Sequence, residues 1–448
     1  MVSVASKFET GASKPKESVS ILERPLEELF GWAVICGCSF LNLANVLVDK
    51  TDVGLDVQVL AKLGLIGLGG LYGAYGFITR PKVRKILFSF PMIWLMIIGL
   101  FYFIAIPFSI SPQNSLVSTV SIAAVTLMTV MALDHLGLMK TMQAMFFGMA
   151  MFICFSWVFY IAFPSIGVLV EPVAGGQFLY RMSGIAHSNT LGQYGALTVI
   201  MSLILYFGYN QRHYAILGIG VLAFLALYFS FSRTSLMALM VSLPFAFRHL
   251  FIKKEYFNLY LLAAAVMLVA ILIMGTTMDV GTVFWDKLES TLSKSEGSDD
   301  LTTATGRADI WAYAIRLLQD QPVTGYGAAT QRFHLVEFSS YTHNLFLNIA
   351  FSGGVFAAIS ALLMILGRLR SLFHNRHPFV DAIIVFIVVN GLFENVIFSI
   401  LAGLPTMLWV IALSWPLLQD DPAVKELNRS DTDTEDYPSS LLRLDADF

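Results

Sequence analysis

Long apolar runs alternate with short polar connections along this chain, and the runs have the length a helix needs to cross a bilayer. About 20 apolar residues cover a hydrocarbon layer of roughly 30 Å. Runs of that kind fall at 29–48, 57–78, 86–107, 116–133, 143–163, 191–207, 214–231, 235–247, 256–275, 345–367, 379–393 and 402–417. The pattern predicts an all-α fold, a polytopic membrane helical bundle of about twelve transmembrane helices. The weaker period-two alternation of a membrane β-barrel is missing. Gly353-Gly354 in the tenth run and Pro405 in the twelfth predict irregular or closely packed helix.

One polar excursion is long. Residues 276–342 separate the ninth run from the tenth and hold Arg307, Arg316, Arg332 and the step Thr342-His343-Asn344. Within it, Ile310, Trp311, Ala314, Ile315 and Leu318 recur at helical spacing, which predicts an amphipathic helix over about 308–318 at the membrane surface or capping the bundle. Thr305-Gly306 reads as the turn before it, and Pro322 with a flexible Gly325-Tyr326-Gly327 as its end.

Composition agrees with a membrane protein. Hydrophobic residues make up 56% of the 448 and charged residues 13%, with mean hydropathy +0.71; a soluble domain carries roughly 25% charged. Basic residues set the orientation. Arg80, Lys82, Arg84 and Lys85, then Lys140 and Arg212, then Arg248, Lys253 and Lys254, then Arg368, Arg370 and Arg376 all fall on one side of a twelve-span arrangement. That side is expected to be the cytoplasm, with both termini, so the 276–342 loop and the Arg181 loop face the periplasm. The chain divides into a cytoplasmic tail at 1–28, a membrane domain at 29–417 and a cytoplasmic, disordered tail at 418–448 rich in acidic residues. The N-terminal segment has no signal-peptide apolar core, so the first run is expected to act as an uncleaved anchor. Cys36, Cys38 and Cys154 all lie inside runs, and neither a zinc pattern nor a phosphate-binding glycine loop occurs.

What remains is a set of outward arginines with histidines among them. Arg181 opens RMSGIAHSNTLG, Arg233 sits in FSRTS between two runs with almost no loop, and Arg307 precedes the amphipathic helix. A guanidinium forks onto phosphate oxygens, so Arg181, Arg233 and Arg307 together suit a lipid-linked phosphate. A single boundary arginine also serves as a snorkelling anchor, the plainer reading for Arg316 and Arg332. His343 is the candidate proton acceptor, although an isolated histidine beside a span is more often a packed or interfacial residue; the arginine loop before it and Gly353-Gly354 in the run after it favour the catalytic role. His187 competes, although Ser188 and Asn189 beside it read as a helix N-cap, which favours a structural role.

These segments resemble the O-antigen ligase and polymerase superfamily, which includes the exopolysaccharide polymerases. The resemblance lies in GRADIW at 306–311, PVTGYG at 322–327, His343-Asn344 leading into a run, SRT at 232–234 and R-x-S-G-x-x-H-x-N-x-L-G at 181–192, covering roughly 180–400. The spacing R-x10-G occurs at 181–192 and again at 316–327, like the paired outward loops of the polymerases; Ser188 departs from the lysine or proline common in relatives. The resemblance implies a metal-independent, cofactor-free, inverting glycosyltransferase in the bacterial inner membrane. Its donor would be a lipid-linked oligosaccharide on undecaprenyl diphosphate, and its acceptor a growing glycan or, for a ligase, lipid A-core. Chain-length regulators and other polysaccharide export proteins would be further partners, and nucleic acid would not. On this reading His343 is the base, Arg181, Arg233 and Arg307 bind the diphosphate, and Arg316, His187, Asn344 and Tyr341 support them. GRADIW with PVTGYG leans toward the polymerases. A polysaccharide transporter or flippase would also be polytopic but should show internal repeats or charges deep in its spans, and beyond Lys62 and Asp381 few occur. A non-catalytic scaffold would have no use for arginines and a histidine on one face.

Overall fold

Lipid offers the backbone no hydrogen-bond partner, so each apolar run must satisfy its own amides, and a helix does so within one segment. The computed structural model describes residues 26–41, 57–172, 178–209, 211, 213–251, 307–335, 341–374, 377–398 and 401–418. Within these, every expected run is helical. The ninth run, nearly all of both tails and much of the 276–342 loop lie outside the described residues.

The helices in order are α1 (Leu26–Phe40), α2 (Val57–Thr79), α3 (Pro81–Leu87), α4 (Met92–Ala105), α5 (Pro112–His135), α6 (Gly137–Ala162), a single turn α7 (Pro164–Gly167), α8 (Ser188–Leu203), α9 (Tyr214–Phe229) and α10 (Arg233–Phe251). After the undescribed stretch come α11 (Arg307–Asp320), α12 (Gln331–His334), α13 (Leu345–His374), α14 (Pro378–Gly391) and α15 (Leu404–Leu418). Among the described residues five helices are long and apolar enough to cross a membrane, or six if α3 and α4, bent by 77°, form one span. Apolar but shorter are α9, α10, α14 and α15. Pro405 falls in the first turn of α15, where a missing N–H costs nothing, so it starts that helix and does not distort it.

The bundle is organised around α5. It is rich in hydroxyl side chains, and its threonines bond back to their own helix: Thr119 to Ser115 O, Thr126 to Ile122 O and Thr129 to Val125 O, each at 2.7 Å. Satisfied internally, they are buried without a partner helix having to supply polar groups. Against α5 lies a glycine stripe of α2. A Cβ at Gly73 would stand 2.5 Å from backbone atoms of Leu127 and Met128, and one at Gly76 would meet Met131. Close approach of two backbones is how helices gain packing energy in lipid, where the hydrophobic effect gives none.

Two short strands interrupt the all-helical expectation. β1 (Val168–Pro172) and β2 (Phe178–Met182) form an antiparallel hairpin between α7 and α8, with Leu169 opposite Arg181.

Charges separate to the two ends of the bundle. At one end Arg80 and Lys82 pair with Asp134, at 3.1 and 3.6 Å, and Lys140 pairs with Glu28 at 2.7 Å. The hairpin, the starts of α8, α10 and α13 and the end of α14 lie at the other. Arg368, counted above among loop charges, is instead fully buried within α13 and acts on Asp381 of α14, also fully buried.

The tenth run is broken, as its glycines foretold. In α13, Gly354 has φ +77° and ψ −174°, a conformation open to glycine alone. A regular helix would join Val355 N–H to Phe351 O; here each finds PVTGYG instead. Val355 N donates to Pro322 O at 2.8 Å, Tyr326 N donates to Phe351 O at 2.7 Å, and Gly327 N donates to Ser352 O at 3.1 Å. The segment expected to be flexible is thus a fitted plug, and Tyr326 is buried against Phe351 and His334.

Candidate active site

At the end of the bundle away from the paired lysines and arginines, five polar side chains from separate segments form one chain of bonds. Arg181 of β2 begins it. Glu171, two residues along β1 from its cross-strand partner, is within reach of a long side chain. Arg181 gives Nη1–H to Glu171 Oε1 at 2.7 Å, Nη2–H to Asn189 Oδ1 at 2.7 Å and Nε–H to Ser230 O at 2.8 Å. The side chain is about 1% exposed. Burial pushes the guanidinium pKa down, and Glu171 and Glu394 push it back up.

Asn189, in the first turn of α8, passes the connection on. Its oxygen must face the arginine, so its amide N–H faces a carboxylate: Nδ2 donates to Glu394 Oε1 at 3.0 Å. The other oxygen, Glu394 Oε2, stands 3.2 Å from His343 Nδ1. Glu394 lies just past the end of α14, its N–H on Asn390 O at 2.9 Å, and its side chain is 9% exposed against 26% for His343. A carboxylate there favours the Nδ1–H tautomer, which puts the ring's lone pair on Nε2.

His343 sits at φ +48°. The left-handed region costs a residue other than glycine about 1–2 kcal/mol, so the surroundings must hold it there. They do so on both sides. Asn344 is the N-cap of α13, with Oδ1 accepting Leu347 N–H at 2.9 Å, and its Nδ2 donates to Leu392 O at 2.9 Å, which ties the turn to the end of α14. Thr342 O accepts the indole N–H of Trp311 at 2.8 Å. Tyr341 stands edge-on to the imidazole with ring centroids 6.5 Å apart.

The remaining expected residues divide. Arg233 opens α10, half-buried, after Phe231 at φ +50°; the turn is close-packed, since a Cβ at Gly192 would fall 2.3 Å from Ser232 Cβ. Arg307 opens α11, but its side chain lies outside the described ones. His187 caps α8, with Nδ1 accepting Asn189 N–H at 3.3 Å, and is exposed. Arg316 is exposed on α11. The two R-x10-G segments are therefore dissimilar, since Arg181 is buried in a network and Arg316 is at the surface. The buried face of α11 is also rotated from the expected one: Ile310 and Ala314, with Tyr313 and Leu317, pack on Phe351, Leu347 and Tyr326, while Ile315 is exposed.

Glu394 was not among the sequence candidates. Its signal is a single carboxylate closing an apolar run, where an ionisable group is costly unless it has work to do.

These features define a multi-pass helical membrane protein with a histidine–carboxylate pair and helix-opening arginines gathered at one end. Residues 218–362, about a third of the chain, match the family model described as O-antigen ligase, so this part of the chain is similar to that family. The matched segment takes in Arg233, Arg307, Trp311 and His343 and leaves Arg181 and Glu394 outside. A comparison with curated proteins returned no match.

Proposed function

We propose that the protein is an inverting membrane glycosyltransferase that moves glycan from undecaprenyl diphosphate onto the hydroxyl of a growing glycan. The site end of the bundle faces the periplasm and the basic end, with both termini, the cytoplasm. The observation that carries this reading is the pairing of His343 with Glu394 on a strained turn, at the same end as the arginines that open α10 and α11. The family match supports an O-antigen ligase or polymerase type of activity.

The acceptor oxygen attacks the anomeric carbon from the face opposite the diphosphate. As the new C–O bond forms, the bond from that carbon to the diphosphate oxygen breaks, and its electron pair leaves with undecaprenyl diphosphate. The acceptor's proton passes to His343 Nε2, and Glu394 stabilises the imidazolium through Nδ1–H. Arg233 and Arg307 meet the charge developing on the leaving group, where fixed donors in a site shielded from water act most strongly. Arg181, expected from sequence to share that task, has three donors committed inside the protein; its role here is to hold Glu394 and Asn189 in place.

A second reading, transfer to lipid A-core, uses the same steps with a different hydroxyl, and the description of the matching family as O-antigen ligase favours it. GRADIW with PVTGYG favours polymerisation. Purified protein given a lipid-linked repeat unit, with and without lipid A-core, separates the two. In either assay His343→Ala should lower turnover by roughly 10²–10⁴-fold, the usual contribution of a positioned base. A variant that transfers glycan at the wild-type rate would sink the mechanism.

A further inference from the structure

The carbonyl one residue ahead of His343 is held from outside its own segment. Trp311 Nε1–H donates to Thr342 O at 2.8 Å, and that bond fixes the plane of the peptide joining Thr342 to His343. The plane of a peptide sets φ of the residue after it, here the +48° of His343. Trp311 is well placed to impose this. Its helix is fastened to the bundle by Ile310 and Ala314, one residue before it and three after, packed on Phe351 and Tyr326. An indole is also rigid, with few torsions to absorb a displacement. The bond that Trp311 makes here goes to a backbone carbonyl and not to the imidazole itself.

We propose that Trp311 is a positioning residue for the base. Its indole N–H keeps the turn in the left-handed conformation that sets the imidazole against Glu394 and leaves Nε2 toward the substrate. The inference rests on His343 being the base, and it gives the tryptophan of the GRADIW segment a task distinct from substrate binding.

The test compares wild type, Trp311→Phe and His343→Ala as full-length protein in lipid nanodiscs. Trp311→Phe keeps aromatic bulk and removes the donor; benzothienylalanine at the same position, with sulfur in place of N–H, is a closer isostere should phenylalanine impair folding. Two quantities are read. With the lipid-linked glycan pool of the producing cells as donor, kcat of Trp311→Phe should fall about tenfold, as loss of one hydrogen bond implies, with KM within about twofold of wild type. The rate at which diethyl pyrocarbonate modifies His343, followed by peptide mass spectrometry, should rise at least about threefold as the ring leaves its partner. Wild-type kcat with wild-type modification of His343 overturns the proposal, and so does a defect confined to KM. If His343→Ala proves fully active the base reading has failed, and the modification rate alone then decides whether Trp311 holds the turn.

Discussion

Replacing Glu394 by Gln removes one charge while keeping shape, and the surroundings dictate what the amide must do. Asn189 Nδ2 donates to Glu394 Oε1 at 3.0 Å, so the glutamine must keep its oxygen there and turn its NH₂ toward His343. Nδ1 then becomes an acceptor, the ring hydrogen moves to Nε2, and the atom that should take the acceptor's proton is already occupied. Loss of a hydrogen bond to a charged group costs about 1.5–3 kcal/mol, or roughly 10- to 150-fold in rate. With the tautomer also reversed, the expectation lies at the upper end, roughly 100-fold, at unchanged expression. Initial rates of glycan transfer in isolated membranes measure the loss. Glu394→Gln with wild-type turnover would refute the pairing argument.

Arg181→Ala should act first on folding, because it strips partners from Glu171, Asn189 and Ser230 O at once. The expected cost is about 3 kcal/mol, the low end for breaking a buried ion pair since Glu171 remains 26% exposed, seen as lower folded yield and melting temperature in detergent; a normally stable variant with raised donor KM would return Arg181 to the diphosphate. Orientation can be read in a cysteine-free background: Gln319→Cys, exposed on α11, should react with an impermeant maleimide added to intact spheroplasts, and Lys82→Cys, exposed at the opposite end, only after the membrane is opened. The reverse pattern would invert the assignment.

Most of the helices were legible because an apolar run of span length has few alternatives. The site was legible in part, where histidine and arginines stood alone in polar connections. Glu394 was hidden by the end of the run it closes, since only the fold brings that end to Asn189 and His343. Arg181 looked like a ligand-facing charge because a short hairpin that buries it leaves little trace in five-residue strands. The face of α11 was misjudged by one position, since Phe351 and Tyr326, distant in sequence, decide which residues it covers. Arg368 and Asp381 read as loop and span charges because their burial together depends on how α13 meets α14.

The break at Gly354 bears on how the protein is made. A helix whose amide and carbonyl are pulled apart inside the bilayer cannot be left open to lipid at tolerable cost, so α13 reaches its final shape only with 322–327 already seated. That segment precedes α13 in the chain and, in the proposed orientation, has crossed to the outside before α13 leaves the translocon. Insertion of this span and folding of the external loop are then one event, and a lesion in PVTGYG would surface as a biogenesis defect, with the span mis-inserted and the chain degraded, before any effect on catalysis could be measured.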